Sequence, residues 1–302
     1  MYKINPLPAA IDPQLLKLLV QAEPAVIGHF RYTGFMCPDI RALFQDRRVA
    51  GTAITIRVPG MDGAMVHYAV GQARPGDFIV IDRCGDMSIA SLGGAVAYAA
   101  RAAGVAGIVV DGLVTDLGEL RQYGVPVWSR GTSAVTVKTL GLGGEFGVTV
   151  SCGGVAVNPG DAILADENGI LVMPPEDIEY SVRRALKMME DEKRTLDRID
   201  TGEKYPDIMG TTQVILNVLE KQKPVVELIL SRPEERNVLV AMHGRAMRVL
   251  LTHLFEKPLH EMDTFGHQNL CLYHLQYDYT TGKFHTIKAN HTAHLAGLPD
   301  SM

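Results

Sequence analysis

The sequence predicts an α/β protein built as stacked sheet layers flanked by helices, followed by a smaller α/β segment. Three observations lead there. Glycine-punctuated, β-rich runs dominate the first two hundred residues, with helical periodicity only in places. The chain has 302 residues, 47% of them hydrophobic, which is ample for more than one core and too apolar for a disordered chain. Composition then changes near residue 210. Of 30 glycines only Gly244, Gly266, Gly282 and Gly297 follow that point, and of 10 histidines only His29 and His67 precede it. The organisation this suggests is a first domain over 1–196, a polar linker over 197–213 and a second segment over 214–302.

Each element has its own signal. Val49 to Val58 alternates and is rich in β-formers, and Asp77 to Asp82 is a short apolar run after the Pro75-Gly76 turn, so both read as strands. Ser88 to Ala103, rich in small residues, reads as a helix. Gly107 to Val110 and Val125 to Trp128 read as buried strands. From Phe146 to Met173 several short strands are broken by turns at Gly153-Gly154, Pro159-Gly160-Asp161 and Glu167-Asn168-Gly169. Asp177 to Leu196 is an amphipathic helix with Ile178, Val182, Ala185 and Met189 on one face. Beyond the linker, Val214 to Leu230 reads as a helix interrupted at Pro224, Asn237 to Met242 as a strand, and Arg245 to Phe255 as a helix with Met247, Leu250, Leu251 and Leu254 inward. Leu270 to Tyr277 and Lys283 to Lys288 form a hairpin across Thr281-Gly282.

Composition also excludes some functions. A net charge of −5 leaves no basic field for phosphate backbones, so nucleic acid is not expected as a partner. Cys37, Cys84, Cys152 and Cys271 are widely spaced, which suits neither a disulfide framework nor a zinc site and points to reduced cytoplasmic thiols. The start of the chain lacks the apolar run of a signal peptide. The most apolar stretch, Gly93 to Val114, carries Arg101 and Asp111, so no membrane span is expected.

Potential chemistry is densest in Arg83-Cys84-Gly85-Asp86, Leu92-Gly93-Gly94 and the run from Asp111 to Glu119. Carboxylates beside glycines suit hard cations such as Mg²⁺ or Mn²⁺. Structural roles are available to the same residues. Asp116 with Glu119 has the spacing of a capping box, Asp111-Gly112 is a common turn pair, and Arg83 and Arg130 suit surface salt bridges. On spacing alone these structural roles prevail. The histidines His29 and His67 and the thiol of Cys152 read as structural, and Gly141-Leu142-Gly143-Gly144 lacks the Lys-Ser/Thr of a phosphate loop.

An ordered series of motifs changes the balance. Gly104-Val-Ala-Gly-Ile-Val-Val-Asp-Gly-Leu-Val-Thr-Asp116, then Tyr123-Gly-Val-Pro-Val-Trp128, then Cys152-Gly-Gly-Val-Ala-Val-Asn-Pro-Gly-Asp161 and Ala165-Asp-Glu-Asn-Gly-Ile-Leu-Val172 resemble the RraA-like family over about residues 15–195. That family includes metal-dependent pyruvate aldolases acting on 4-hydroxy-4-methyl-2-oxoglutarate and a regulator of ribonuclease E. The resemblance implies a layered β/β/α swivelling domain, a homotrimer or hexamer, and a lyase acting on a small oxo-acid through a pyruvate enolate. The family aldolases carry an Asp, twenty intervening residues, then Arg-Asp. Here the final Asp is Asp116, the implied metal ligand, while the Arg position is Thr115 and the first Asp position is Gly94. Threonine supplies neither positive charge nor a guanidinium fork. The resemblance and position therefore nominate Asp116, Thr115 and Arg83 for catalysis and Asp116 with Asp86 for the metal. Ser91, Leu92, Gly93, Gly94, Thr115 and Arg130 are nominated for the substrate.

The second segment carries Val240-Ala-Met-His-Gly-Arg-Ala-Met-Arg248, the strand near Asn269 to Tyr277 and Asn290-His-Thr-Ala-His-Leu295. It resembles the C-terminal half of the histidine phosphatase superfamily over about 224–295. By that resemblance His243 and Gly244 are the remnant of a phosphate pocket. The sequence contains no Arg-His-Gly, so the phosphorylated nucleophile of that superfamily has no counterpart. The remaining histidines, His253, His260, His267, His274, His285, His291 and His294, follow no ligand spacing.

Overall fold

The computed structural model describes residues 1–44, 46–230, 238, 240, 241, 243–266 and 271–293. Contacts divide the chain into two units, Met1–Arg194 and Thr195–Met302.

The first unit carries β1 (Tyr2–Ile4), α1 (Pro13–Leu19), α2 (Pro24–Ile27), β2 (Arg41–Ala42), β3 (Val49–Arg57), α3 (Ala64–Gln72), β4 (Asp77–Asp82), β5 (Ala90–Leu92) and α4 (Gly94–Ala102). There follow β6 (Gly107–Val114), α5 (Leu117–Tyr123), β7 (Val127–Thr132), β8 (Gly144–Phe146), β9 (Val150–Cys152), β10 (Val155–Val157), β11 (Ala162–Asp166), β12 (Gly169–Met173) and α6 (Ile178–Asp200). Helix α6 runs across the boundary between the units.

Its centre is a parallel β3-β4-β6-β7 array, extended in the order β1-β8-β3-β4-β6-β7-β2. Crossovers α3, α4 and α5 return each strand to the next, as parallel pairing requires. Alternation along the strands sends the two faces to different partners. Ile54, Ile56, Ile79, Ile81, Ile108 and Val110 pack with Met65, Val66, Ala69, Ala97, Ala100 and Leu120, which line the helices α3, α4 and α5. Ala53, Phe78, Val80, Val109 and Trp128 pack instead against Val150, Cys152, Val157, Ile163 and Ile170, residues of the later strands. A third cluster joins Leu19, Ile27, Ile178, Val182 and Ala185 to Leu164, Leu171 and Met173. Burying each such Ile, Leu or Val contributes about 1.5–3 kcal/mol. The result is strand layer on strand layer with helices outside, as expected for a β/β/α domain.

The details depart from the sequence reading in two places. The expected helix over Ser88 to Ala103 is a three-residue strand, β5, followed by α4. The run is too short to show alternation, and its pairing with β6 makes it a strand. Strand β6 runs on to Val114 through Asp111-Gly112, because β4, β5 and β7 all pair with it. A register irregularity between Val110 and Leu113 takes the place of the expected turn.

In the second unit α7 (Tyr205–Ile208), α8 (Thr211–Leu230) and α9 (Gly244–Leu254) precede the hairpin of β13 (Leu272–Asp278) and β14 (Lys283–His291). Helix α8 passes through Pro224 without a break. Of the expected strand over 237–242, residues 237, 239 and 242 lie outside the described residues and 238, 240 and 241 are not strand; His267 and His294 also lie outside the described residues.

A buried carboxylate organises the first strands. Asp62 accepts the amides of Ala64, Leu140, Leu142 and Gly143 and the hydroxyl of Tyr2. The glycine-rich loop before β8 thus gives its amides to an internal carboxylate. Burial raises the Asp62 carboxyl, but these donors outweigh it and hold the group well below the usual range. Asp62→Ala leaves several donors unpaired and is expected to cost about 2–4 kcal/mol. Urea unfolding followed through Trp128, the one tryptophan, measures this within the first unit. The contribution is complete above the ordinary carboxylate value and is lost as pH falls through the depressed one, so wild type and variant converge in acid.

Candidate functional site

Of the predicted residues, Ser91, Leu92, Gly93, Gly94, Thr115 and Asp116 lie where β5 and β6 end and α4 and α5 begin. The Thr115 amide donates to the Leu92 carbonyl at 2.9 Å, joining the two strand ends. Asp116 then takes a left-handed backbone conformation, φ 55° and ψ 43°. That conformation is uncommon outside glycine and is tolerated best by Asp and Asn. Its Oδ2 accepts the Gly94 amide at 2.9 Å, and its Oδ1 lies 3.3 Å from the Thr115 hydroxyl, which donates to it.

This corrects the capping-box expectation. Asp116 makes no side-chain cap on α5, the helix it precedes, and instead satisfies the first amide of the neighbouring helix α4. A left-handed residue aims its side chain away from the helix that follows, which is why the sequence spacing misleads. Among the described residues, Asp116 takes part in no ion pair.

Arg83 lies elsewhere and does different work. It is fully buried. Its Nη1 donates to the Val58 carbonyl at 2.6 Å, and Nη2 donates to the Gly60 carbonyl at 2.7 Å and to Asp86 Oδ2 at 3.2 Å. Burial pulls Arg83 below the ordinary arginine value. A surface salt bridge is therefore not its role. Gly112 makes room for it, since a Cβ there would stand 2.6 Å from Arg83 Cγ. Asp86 also accepts from the Ser88 amide and hydroxyl and from the Ile89 amide. The Ser88 amide is the largest influence holding its carboxyl below the usual range. Both of its oxygens are engaged in this turn.

Arg130 is partly buried beside Asp111, to which its Nε donates, and its Nη2 donates to Cys37 Sγ at 3.3 Å. The second Asp111 oxygen accepts the Gly153 amide at 2.8 Å. Arg130 lines a cleft of about 470 Å³ with Asp39, Arg41, Leu43, Met87, Ser129 and Gly131, and makes no bond to Asp116. Leu92 is buried. Ser91 is 3% exposed and its hydroxyl has no partner among the described residues. Cys152 is buried and its thiol is pushed well up by burial, which suits packing and not nucleophilic attack.

Glu119, read from spacing as a capping-box partner and not as a site residue, also lies in this region. Its Oε2 stands 1.6 Å from the position a Gly94 Cβ would occupy. The Gly93-Gly94 pair was the available signal, because two adjacent glycines at a helix start leave room for something else. In the second unit His243 precedes α9 without capping it, and Gly244 is the first residue of that helix. Among the described residues no three His, Cys, Asp or Glu side chains converge as a metal cage.

Comparison with known proteins assigns the scaffold. The family described as Aldolase/RraA matches residues 24–172. A putative 4-hydroxy-4-methyl-2-oxoglutarate aldolase of Halalkalibacterium halodurans is 37% identical over 154 residues, spanning 51% of this chain and 73% of that protein. The chain belongs to the aldolase/RraA family. An uncharacterized protein of Methanocaldococcus jannaschii is 31% identical over 206 residues, 65% of this chain and 98% of its own length. Among solved structures, Streptomyces coelicolor RraAS2, described as an unusual member of the RNase ES inhibitor RraA protein family, shares 26% identity at a TM-score of 0.56. That match covers 63% of this chain and 98% of the other. Residues 179–290 match the histidine phosphatase superfamily, branch 1. The RraA-like unit is thus followed by a histidine phosphatase-like one.

The buried arginine of this RraA-like unit gives a direct test. Arg83→Met leaves the Val58 and Gly60 carbonyls and Asp86 without their cation and is expected to cost about 3 kcal/mol or more. The urea midpoint read by Trp128 fluorescence checks it. A midpoint equal to wild type would return Arg83 to the list of residues free for chemistry.

Proposed function

We propose that this chain is a divalent-metal-dependent lyase on a small oxo-acid. It cleaves substrates like 4-hydroxy-4-methyl-2-oxoglutarate in a retro-aldol step or decarboxylates oxaloacetate. One observation carries the reading: the Asp116 carboxylate is held at the head of α4 with no protein cation beside it. The donor chemistry fits Mg²⁺ or Mn²⁺. Such ions take oxygen ligands, often only one or two carboxylates, and keep water or substrate in the other positions. Asp116 Oδ1 has only the Thr115 hydroxyl beside it, and the unpartnered Ser91 hydroxyl is two residues from Gly93. When bound, a divalent cation supplies positive charge where the enolate of pyruvate develops.

The chain's own residues supply the rest. Asp116 anchors the cation, and the Thr115 hydroxyl holds the carboxylate in one orientation. The first-turn amides of α4, Ala95 and Val96, have no partner inside the helix and favour a substrate carboxylate at the positive end of its dipole. Arg83 and Arg130 are held by their own partners, so these amides take the place of an arginine fork. Losing one preorganised donor costs about 10²–10³ in rate, so turnover slower than that of an Arg-bearing relative is expected. A homotrimer or hexamer in the cytoplasm belongs to the same proposal, by resemblance. Among the described residues no helix is long and apolar enough to cross a membrane. His243 and Gly244 remain a phosphate-pocket remnant without a nucleophile.

A second reading, a non-catalytic regulatory or binding protein on the same scaffold, is favoured by Thr115 and Gly94 alone. Pyruvate release from oxaloacetate and from 4-hydroxy-4-methyl-2-oxoglutarate separates the two. The lyase reading expects release with Mg²⁺ or Mn²⁺, loss in EDTA and loss in Asp116→Ala. Release no faster than the free-metal background would overturn it in favour of the binding protein.

A further inference from the structure

A glycine whose missing Cβ is replaced by another residue's carboxylate is a packing statement with chemical content. At Gly94 a Cβ would stand 1.6 Å from Glu119 Oε2, 2.6 Å from its Cδ and 2.9 Å from its Cβ. No side chain fits at 94 while Glu119 holds this place. At the preceding residue, a Gly93 Cβ would stand 2.6 Å from Asp116 Oδ2. The Gly94 amide between them donates to that same Oδ2. Two carboxylates from the start of α5 are therefore pressed against one glycine pair at the start of α4.

Several carboxylates of this unit are matched by arginines, while others, such as Asp62, are held by amides and a hydroxyl. Asp86 has Arg83, Asp111 has Arg130, Asp77 has Arg74, and Asp82 and Glu145 share Arg57. Asp116 and Glu119 have no such partner among the described residues. Two like charges left unmatched on one short peptide segment repel each other, and a cation between them removes that repulsion. The backbone sets the arrangement. The left-handed turn at Asp116 swings its side chain to the Gly94 amide, and three residues later the first turn of α5 carries Glu119 to the same side.

We infer that Glu119 is the second carboxylate facing the divalent cation of this site, and that position 94 is glycine because the Glu119 carboxylate lies there. The inference rests on the metal-dependent reading above and adds a residue to it. Glu119 acts on the cation directly or through a water it positions. Position 94 and residue 119 are alternative places to mount one carboxylate, one on α4 and the other reaching across from α5.

The test uses the full chain and Mn²⁺ as probe, with binding read by electron paramagnetic resonance and calorimetry, without substrate. Far-UV circular dichroism and Trp128 fluorescence check the fold. Glu119→Gln is expected to weaken Mn²⁺ binding by about tenfold or more. Gly94→Ala is expected to do the same by evicting Glu119. Gly94→Asp combined with Glu119→Ala is expected to restore binding, because the carboxylate returns from the other side. A stability cycle tests the packing independently of metal: Gly94→Ala lowers the urea midpoint, and adding Glu119→Ala recovers it. Full Mn²⁺ affinity in Glu119→Gln, with Asp116→Asn having lost it, would overturn the role of Glu119 and leave the lyase reading standing. A wild-type chain that binds no Mn²⁺ would overturn both. A folded double variant that fails to bind, or a cycle with no coupling, would overturn the exchange between 94 and 119.

Discussion

The guanidinium of Arg83 is enclosed by protein, and a charge in that position is tolerated only if its surroundings answer it. The answer comes from three directions: the Val58 carbonyl just beyond β3, the Gly60 carbonyl in the following loop, and Asp86 after β4. Gly112 in β6 leaves space for its stem. One side chain thereby fixes how three central strands end. The turn it stabilises leads directly into β5, and β5 delivers Gly93 and Gly94 to Asp116. The candidate site thus depends on a residue held apart from it by its own hydrogen-bond partners.

A second constraint is the division of labour among carboxylates. Asp62 gathers loop amides, Asp86 closes a turn, and Asp111 joins Arg130 to the Gly153 amide. Each is spent on structure, Asp86 and Asp111 with an arginine beside them and Asp62 with neutral donors alone. Asp116 caps a helix that is not its own and still keeps an oxygen facing the Thr115 hydroxyl. The histidine phosphatase-like unit shows no comparable concentration of buried charge. Its described ion pairs, Arg198 with Glu203, Arg248 with Asp263 and Lys257 with Glu261, lie at the surface.

Much of the architecture was legible in the sequence. The strands β3 and β4, the inward face of α6 and the hairpin of β13 with β14 follow from alternation, helical period and turn residues. Strand β5 was not legible, because three residues paired on a neighbour carry no period of their own. The extension of β6 through Asp111-Gly112 was hidden because pairing on several sides outweighs a local turn preference. Asp116 was found through the ordered motifs, and its neighbours Gly93 and Gly94 with it. Arg83 was read as a surface group because burial of an arginine depends on carbonyls that arrive from distant segments. Glu119 was read as a partner of its own helix start, since the contact that matters joins two helices and leaves no trace in spacing.

The left-handed backbone at residue 116 limits what evolution can place there. Asp, Asn and Gly adopt it at low cost, whereas β-branched and bulky residues are strained. Asparagine keeps an oxygen for the Gly94 amide and so retains the seam between α4 and α5, but it discards the charge. A single nucleotide change separates aspartate from asparagine codons. The fold therefore sits one mutational step from a version of itself with the same shape and no anion at this point. On such a scaffold, catalysts and pure binders are adjacent in sequence space, and relatives of very similar structure need not share a chemistry.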